Sequence, residues 1–157
     1  MAYDGFKGRY DVGVNNVGSY QVSGMPYVTS SILVPASNTE GKGHTSTTAA
    51  AKVAFPYVTK FVTVRHDPTG SNYGVGPDNG IRVGFSEAGV AGAPSRFFFE
   101  LSGSESVTME IKCTEIYLLS CDQTIKEATV IAGLTGIRAA HLSGTSGNNY
   151  SGSTGVG

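Results

Sequence analysis

The residues of this 157-residue chain that could do chemistry are its histidines, its two cysteines and its twelve acids. His44, His66 and His141 stand far apart. None sits in an H-x-x-x-H or H-E-x-x-H pattern, the spacings that bring ligands to one helix face around a metal. His66-Asp67-Pro68-Thr69-Gly70 reads as a turn, and a turn histidine beside an aspartate is unremarkable. Asp67, Asp78 and Glu87 fall in expected loops, where calcium sites form. They lack the alternate-residue acidic spacing that lets one loop wrap a cation. A serine nucleophile would need an activating base and a strand–turn–helix elbow; Gly103-Ser104 and Gly144-Thr145-Ser146-Gly147 have neither. Gly74-Val75-Gly76 leads into a strand rather than a helix, so it cradles no phosphate.

Cys113 and Cys121 lie in a segment that reads as strand. A continuous strand would hold them about 26 Å apart at ~3.3 Å per residue. A disulfide spans Cα atoms at most ~7 Å apart, so both are expected as reduced, structural thiols. Nothing near them lowers a thiol pKa. Glu100, Glu110 and Glu115 are expected on solvated strand faces; a glycosidase needs two such carboxylates to meet, and no spacing shows that they do. The expectation is a protein with no cofactor, no metal and no catalytic constellation. Loop contacts at Tyr73 and Asp78 are the candidates for a surface recognition site.

Composition points the same way. Eleven basic against twelve acidic residues leave a net charge of −1, without the basic excess that nucleic-acid binding needs. The 22 glycines are about double the usual share of roughly 7%, which argues against long helices. No apolar run approaches the ~20 residues that span a bilayer, so no membrane partner is expected. Charges and glycines occupy the positions where a secretory signal would be apolar, and the chain reads as made in a cytosol and not exported by the standard route.

Three zones position these residues. Residues 1–24 carry Gly5, Gly8, Gly13, Gly18 and Gly24, dotted with Tyr3, Phe6, Tyr10 and Tyr20. No period persists, so this is an extended arm whose aromatics are the candidate anchors for a partner. Residues 25–142 form the body. Tyr27–Val34, Tyr57–Arg65, Ile81–Phe85, Arg96–Leu101, Ser106–Ser120 and Lys126–Ile137 read as strands divided by Gly, Pro and Asn turns. Ile81, Val83 and Phe85 alternate with small or polar residues, so that strand is expected half-buried. Residues 87–95 read as a small-residue loop. Between Ser106 and Ser120 the apolar parity changes after Cys113, which marks a bulge or a strand passing between sheets. The expected fold is all-β: a single β-sandwich, jelly-roll-like, with no amphipathic helix. From 143 to 157 all residues but Tyr150 and Val156 are Gly, Ser, Thr or Asn, a composition expected of a solvated tail.

The stretches Phe97–Val107, Glu110–Lys112, Ile116–Ser120 and Val130–Ile137 together resemble small β-sandwich structural proteins of tailed-bacteriophage virions, the head decoration or cement type. The likeness is one of texture over residues 25–140. It implies a non-enzymatic virion component on the capsid surface. Its partners would be the major capsid protein lattice and copies of itself, with a trimer as the assembly the resemblance suggests. A glycan- or receptor-binding module of a fibre or attachment protein is the alternative.

Overall fold

The computed structural model describes residues 24–38, 46–67, 80–92 and 96–141. Eight strands run β1 (Met25–Val34), β2 (Ala51–Ala54), β3 (Tyr57–Asp67), β4 (Gly80–Gly84), β5 (Phe98–Ser102), β6 (Ser106–Met109), β7 (Glu115–Ser120) and β8 (Lys126–Arg138). A five-residue helix, α1 (Glu87–Ala91), and a 3-10 turn, Ala139–His141, complete the described residues. The strands form two four-stranded antiparallel sheets, ordered β1-β8-β3-β6 and β2-β7-β4-β5.

That order is a nest. β4 pairs with β5, β3 with β6, β2 with β7 and β1 with β8, as in one long hairpin folded at the β4–β5 connection. The hairpin is then rolled so that β8 also meets β3 and β7 also meets β4. This is the eight-stranded jelly roll. Inward residues from both sheets make one core. Val62, Val64, Val130 and Leu134 come from the first sheet; Val53, Ile81, Val83, Ile116 and Leu118 from the second.

The parity change between Ser106 and Ser120 is the passage between sheets. β6 belongs to the first sheet and β7 to the second, so each needs its own inward phase. The crossing segment is stapled to β3 at Thr59: its hydroxyl donates to the Ile111 carbonyl (2.6 Å) and accepts from the Cys113 amide (3.0 Å). Its amide donates to the Cys113 carbonyl at 3.0 Å. Cys113 and Cys121 therefore do not share one continuous strand. Both are buried and free, as reduced structural thiols should be. β1 changes phase too, at a bulge: Ser30 and Ser31 together face Thr129, with Ser31 at φ 56°. Before it, Tyr27 packs inward, edge-on to Phe55 at 5.1 Å; after it, Ile32 and Val34 do.

Three expectations are corrected. Residues 87–95 are not simply loop, because 87–91 form α1. Ser86 caps the helix with its hydroxyl on the Gly89 amide (3.1 Å), and Gly92 ends it at φ 83°. His66 and Asp67 are not turn residues but the end of β3, and His66 is wholly buried. β4 is not half-buried: all five of its residues are buried, because α1 lies against its outer side.

Candidate functional site

The two outer faces of the sandwich differ in kind. On the second sheet, Tyr117 and Leu119 of β7 point outward and meet Val90 of α1, with Phe98 of β5 and Ala50 packed beside them. Arg82, outward on β4, is 0% exposed under this cover. Its Nη1 donates to the Val90 carbonyl (3.2 Å), and its guanidinium carbon stands 4.8 Å from the Phe98 ring centroid, within cation–π range. The cover lies close to the sheet at Gly84. A Cβ there would fall 2.6 Å from Val90 Cγ1 and 2.7 Å from the Phe97 carbonyl oxygen, so only glycine fits.

At the edge of this face Lys52 forms an ion pair with Glu115 and stands 5.7 Å from the Tyr117 ring. The Tyr117 hydroxyl donates to Glu115 Oε1 at 2.8 Å. The bond to Glu115 raises the Lys52 pKa, and burial together with Glu115 raises that of Tyr117. Glu115 is thus an engaged carboxylate rather than a solvated one. Beside it an open cleft of about 600 Å³ runs between α1 and residues 46–49, lined by Ser46, Thr47, Thr48, Ser86, Glu87 and Tyr117. Hydroxyls, alanines and the Glu87 carboxylate line it, and among the described residues no base is set against a nucleophile there. The buried thiols offer no nucleophile either: burial pushes Cys113 up to about 11 and Cys121 up to about 12.

The first sheet is bare by contrast. Val28 of β1 is 65% exposed and pairs with Ile131 of β8, itself 40% exposed. Ile131 in turn pairs with Thr63, and the Thr63 and Thr108 hydroxyls are 2.8 Å apart. Leu33, also 65% exposed, lies further along β1 opposite Glu127, beyond the Ser30–Ser31 bulge. No described element lies over this face. Among the described strands β1 stands at the edge, with β8 beside it. Residues 1–23 join the body at Gly24, whose amide donates to the Leu134 carbonyl (3.1 Å) at the start of that edge.

Chain direction gives the sandwich two unlike ends. β1 starts opposite the last part of β8, so the segments before Gly24 and after His141 leave from one end. The connections β1–β2, β3–β4, β5–β6 and β7–β8 lie at the other. Of the residues expected to recognise a partner, Tyr3, Phe6, Tyr10 and Tyr20 lie outside the described residues, as do Tyr73, Asp78 and His44. The described residues that flank them are Gly24, at the start of β1, and Asp67 and Gly80, the ends of β3 and β4 between which Tyr73 and Asp78 fall in sequence. The exposed Val28, Leu33 and Ile131 were missed from sequence, although Val28 and Leu33 stand in the Tyr27–Val34 run. Among the described residues no three His, Cys, Asp or Glu side chains gather as a metal site.

No protein-family model matches the chain, and neither a curated protein nor a solved structure matches it significantly. The class that fold and surface define is therefore an all-β two-sheet antiparallel sandwich of jelly-roll order.

Proposed function

We propose that this chain is a non-enzymatic structural protein of a virion that decorates or cements a phage capsid shell. The observation that supports this most is the pairing of a jelly-roll body with exposed apolar residues on and beside β1, the strand that residues 1–23 precede. The jelly roll recurs in viral capsid domains and also in lectins, so the fold alone does not choose between them. A strand edge that no other described strand pairs suits main-chain strand addition by a neighbour, and the exposed apolar residues beside it suit side-chain packing. A net charge of −1 lets many copies pack together without strong mutual repulsion. In this reading the arm end faces the major capsid protein lattice, with Tyr3, Phe6, Tyr10 and Tyr20 as its anchors. The four connections at the far end face outward.

The test is copurification of the protein with assembled particles at a fixed ratio to the major shell protein. A chain lacking residues 1–24 should fold and fail to bind. Full binding by that truncated chain would remove the arm from the proposal. Binding of the isolated body to an array glycan, with no particle association, would favour the attachment-module reading through the Tyr73–Asp78 segment.

A further inference from the structure

His66 is the penultimate residue of β3, at the sandwich end opposite Gly24, on the inward side with Val62 and Val64, and is 0% exposed. Its backbone amide donates to the Glu105 carbonyl (3.0 Å), which ties β3 to the turn before β6. Neither ring nitrogen has a hydrogen-bond partner among the described residues. The Gly103 backbone lies near the ring, outside hydrogen-bond geometry. Buried polar nitrogens are almost always paired, so two unpaired on one ring call for an explanation.

The charges around the ring supply it. Lys126 acts on it from β8, Asp122 from the β7–β8 turn and Asp67 from its own strand. Both carboxylates are already engaged: Asp122 holds Lys126 Nζ at 2.8 Å, and Asp67 accepts from Arg65 Nε at 2.8 Å and from the Thr129 hydroxyl. The Glu105 carboxylate is turned away onto the Ser102 amide (2.7 Å). A protonated ring would therefore be an extra cation beside buried Lys126, with every nearby described carboxylate already committed elsewhere. Burial, with Lys126 adding to it, holds the imidazole below its ordinary pKa.

We propose that His66 is an acid-operated latch. With the ring neutral, the end of β3, the Gly103–Glu105 turn and the Asp122–Lys126 turn stay closed over the core. Proton uptake opens them, because only solvent can accommodate the imidazolium. The fold accepts the neutral ring, so the latch holds fully above the ordinary histidine range near pH ~6.5 and weakens as the pH falls through it.

Hydrogen exchange of the full chain, corrected for intrinsic rates, tests this at about pH 7.5 and about pH 5.5. Between them the open population at residues 66–67, 103–106 and 122–128 should rise about tenfold, the proton uptake of an exposed imidazole with pKa ~6.5. Amides where Met25 faces Leu134, at the other end, should change less than about twofold on the same proton-linkage grounds. His66→Phe should abolish the acid response. Because that variant could fold poorly, imidazole NMR of the wild-type chain provides a second reading, and the closed-state ring should titrate below its ordinary value. An imidazole titrating at or above that value would overturn the latch. So would equal loss of protection at both ends, or an acid response that survives in a folded His66→Phe chain.

Discussion

The outer faces of the two sheets began with the same problem and reached opposite ends. Each sheet of a jelly roll has one face on the core and one turned away. On the second sheet that outer face is sealed: α1 lays Val90 over Tyr117 and Leu119, and Arg82 is buried beneath. On the first sheet Val28, Leu33 and Ile131 are left in solvent. Scattered exposed apolar residues are ordinary. The instructive point is that, among the described residues, a covering element lies on the second sheet and none lies on the first. The difference separates a face that holds the fold together from one available to something else.

The largest effect should come from breaking the sealed face at its centre. Arg82→Ala deletes the donor to the Val90 carbonyl, the cation over Phe98 and the volume that fills the space under α1. Loss of this buried, hydrogen-bonded side chain and the cavity left under α1 should cost about 2–5 kcal/mol. Chemical denaturation would show it as a lower midpoint. A loss near zero would mean that α1 is merely resting on the sheet.

Gly84→Ala tests the same contact from the other side. The added methyl would meet Val90 Cγ1 and the Phe97 carbonyl, and the second of these is backbone that cannot rotate away. Overpacking of this sort should cost roughly 1–3 kcal/mol. Amide protection at Val90 and Gly92 should fall before that of β8 if the strain lifts the cover rather than the sheet.

How much of this could be read from the sequence divides along the same line. Runs such as Lys126–Ile137, rich in β-branched residues and bounded by turns, announce strands because their signal is local. The phase change after Cys113 is local too, and it records the passage from β6 to β7. The sealed face is not local. Arg82 alternates correctly to the outside of β4, and the pattern Ile81, Arg82, Val83 reads as half-buried; only α1, contributed by another segment, turns that outside into an interior. α1 itself is five residues long and contains Gly89, too short for any 3.6-residue period to emerge. Its one sequence signal is Ser86 as a cap. His66 was hidden by its neighbours, since Asp67-Pro68 signals a turn although β3 runs through Asp67. The bulge at Ser31 was silent because that left-handed position, usually glycine, holds a serine.

The smallest effect on stability should come from the bare face, and there the smallness is informative. Val28→Ser removes a side chain that is 65% exposed and Ile131→Thr one that is 40% exposed, both outward at one ladder position. Val28→Ser should shift stability by no more than about 0.5 kcal/mol, and Ile131→Thr, whose side chain is more than half covered, by about 1 kcal/mol. If this face packs against a partner, the same pair should weaken particle association markedly while moving the denaturation midpoint no further than this. A buried Val or Ile contributes about 1.5–3 kcal/mol, so removing one such side chain from a shared surface should lower affinity about tenfold or more. The two measurements therefore divide the possibilities. Weakened binding with stability kept makes the bare sheet a working surface. Kept binding confines the interaction to the arm and leaves Val28 and Ile131 as ordinary exposed residues.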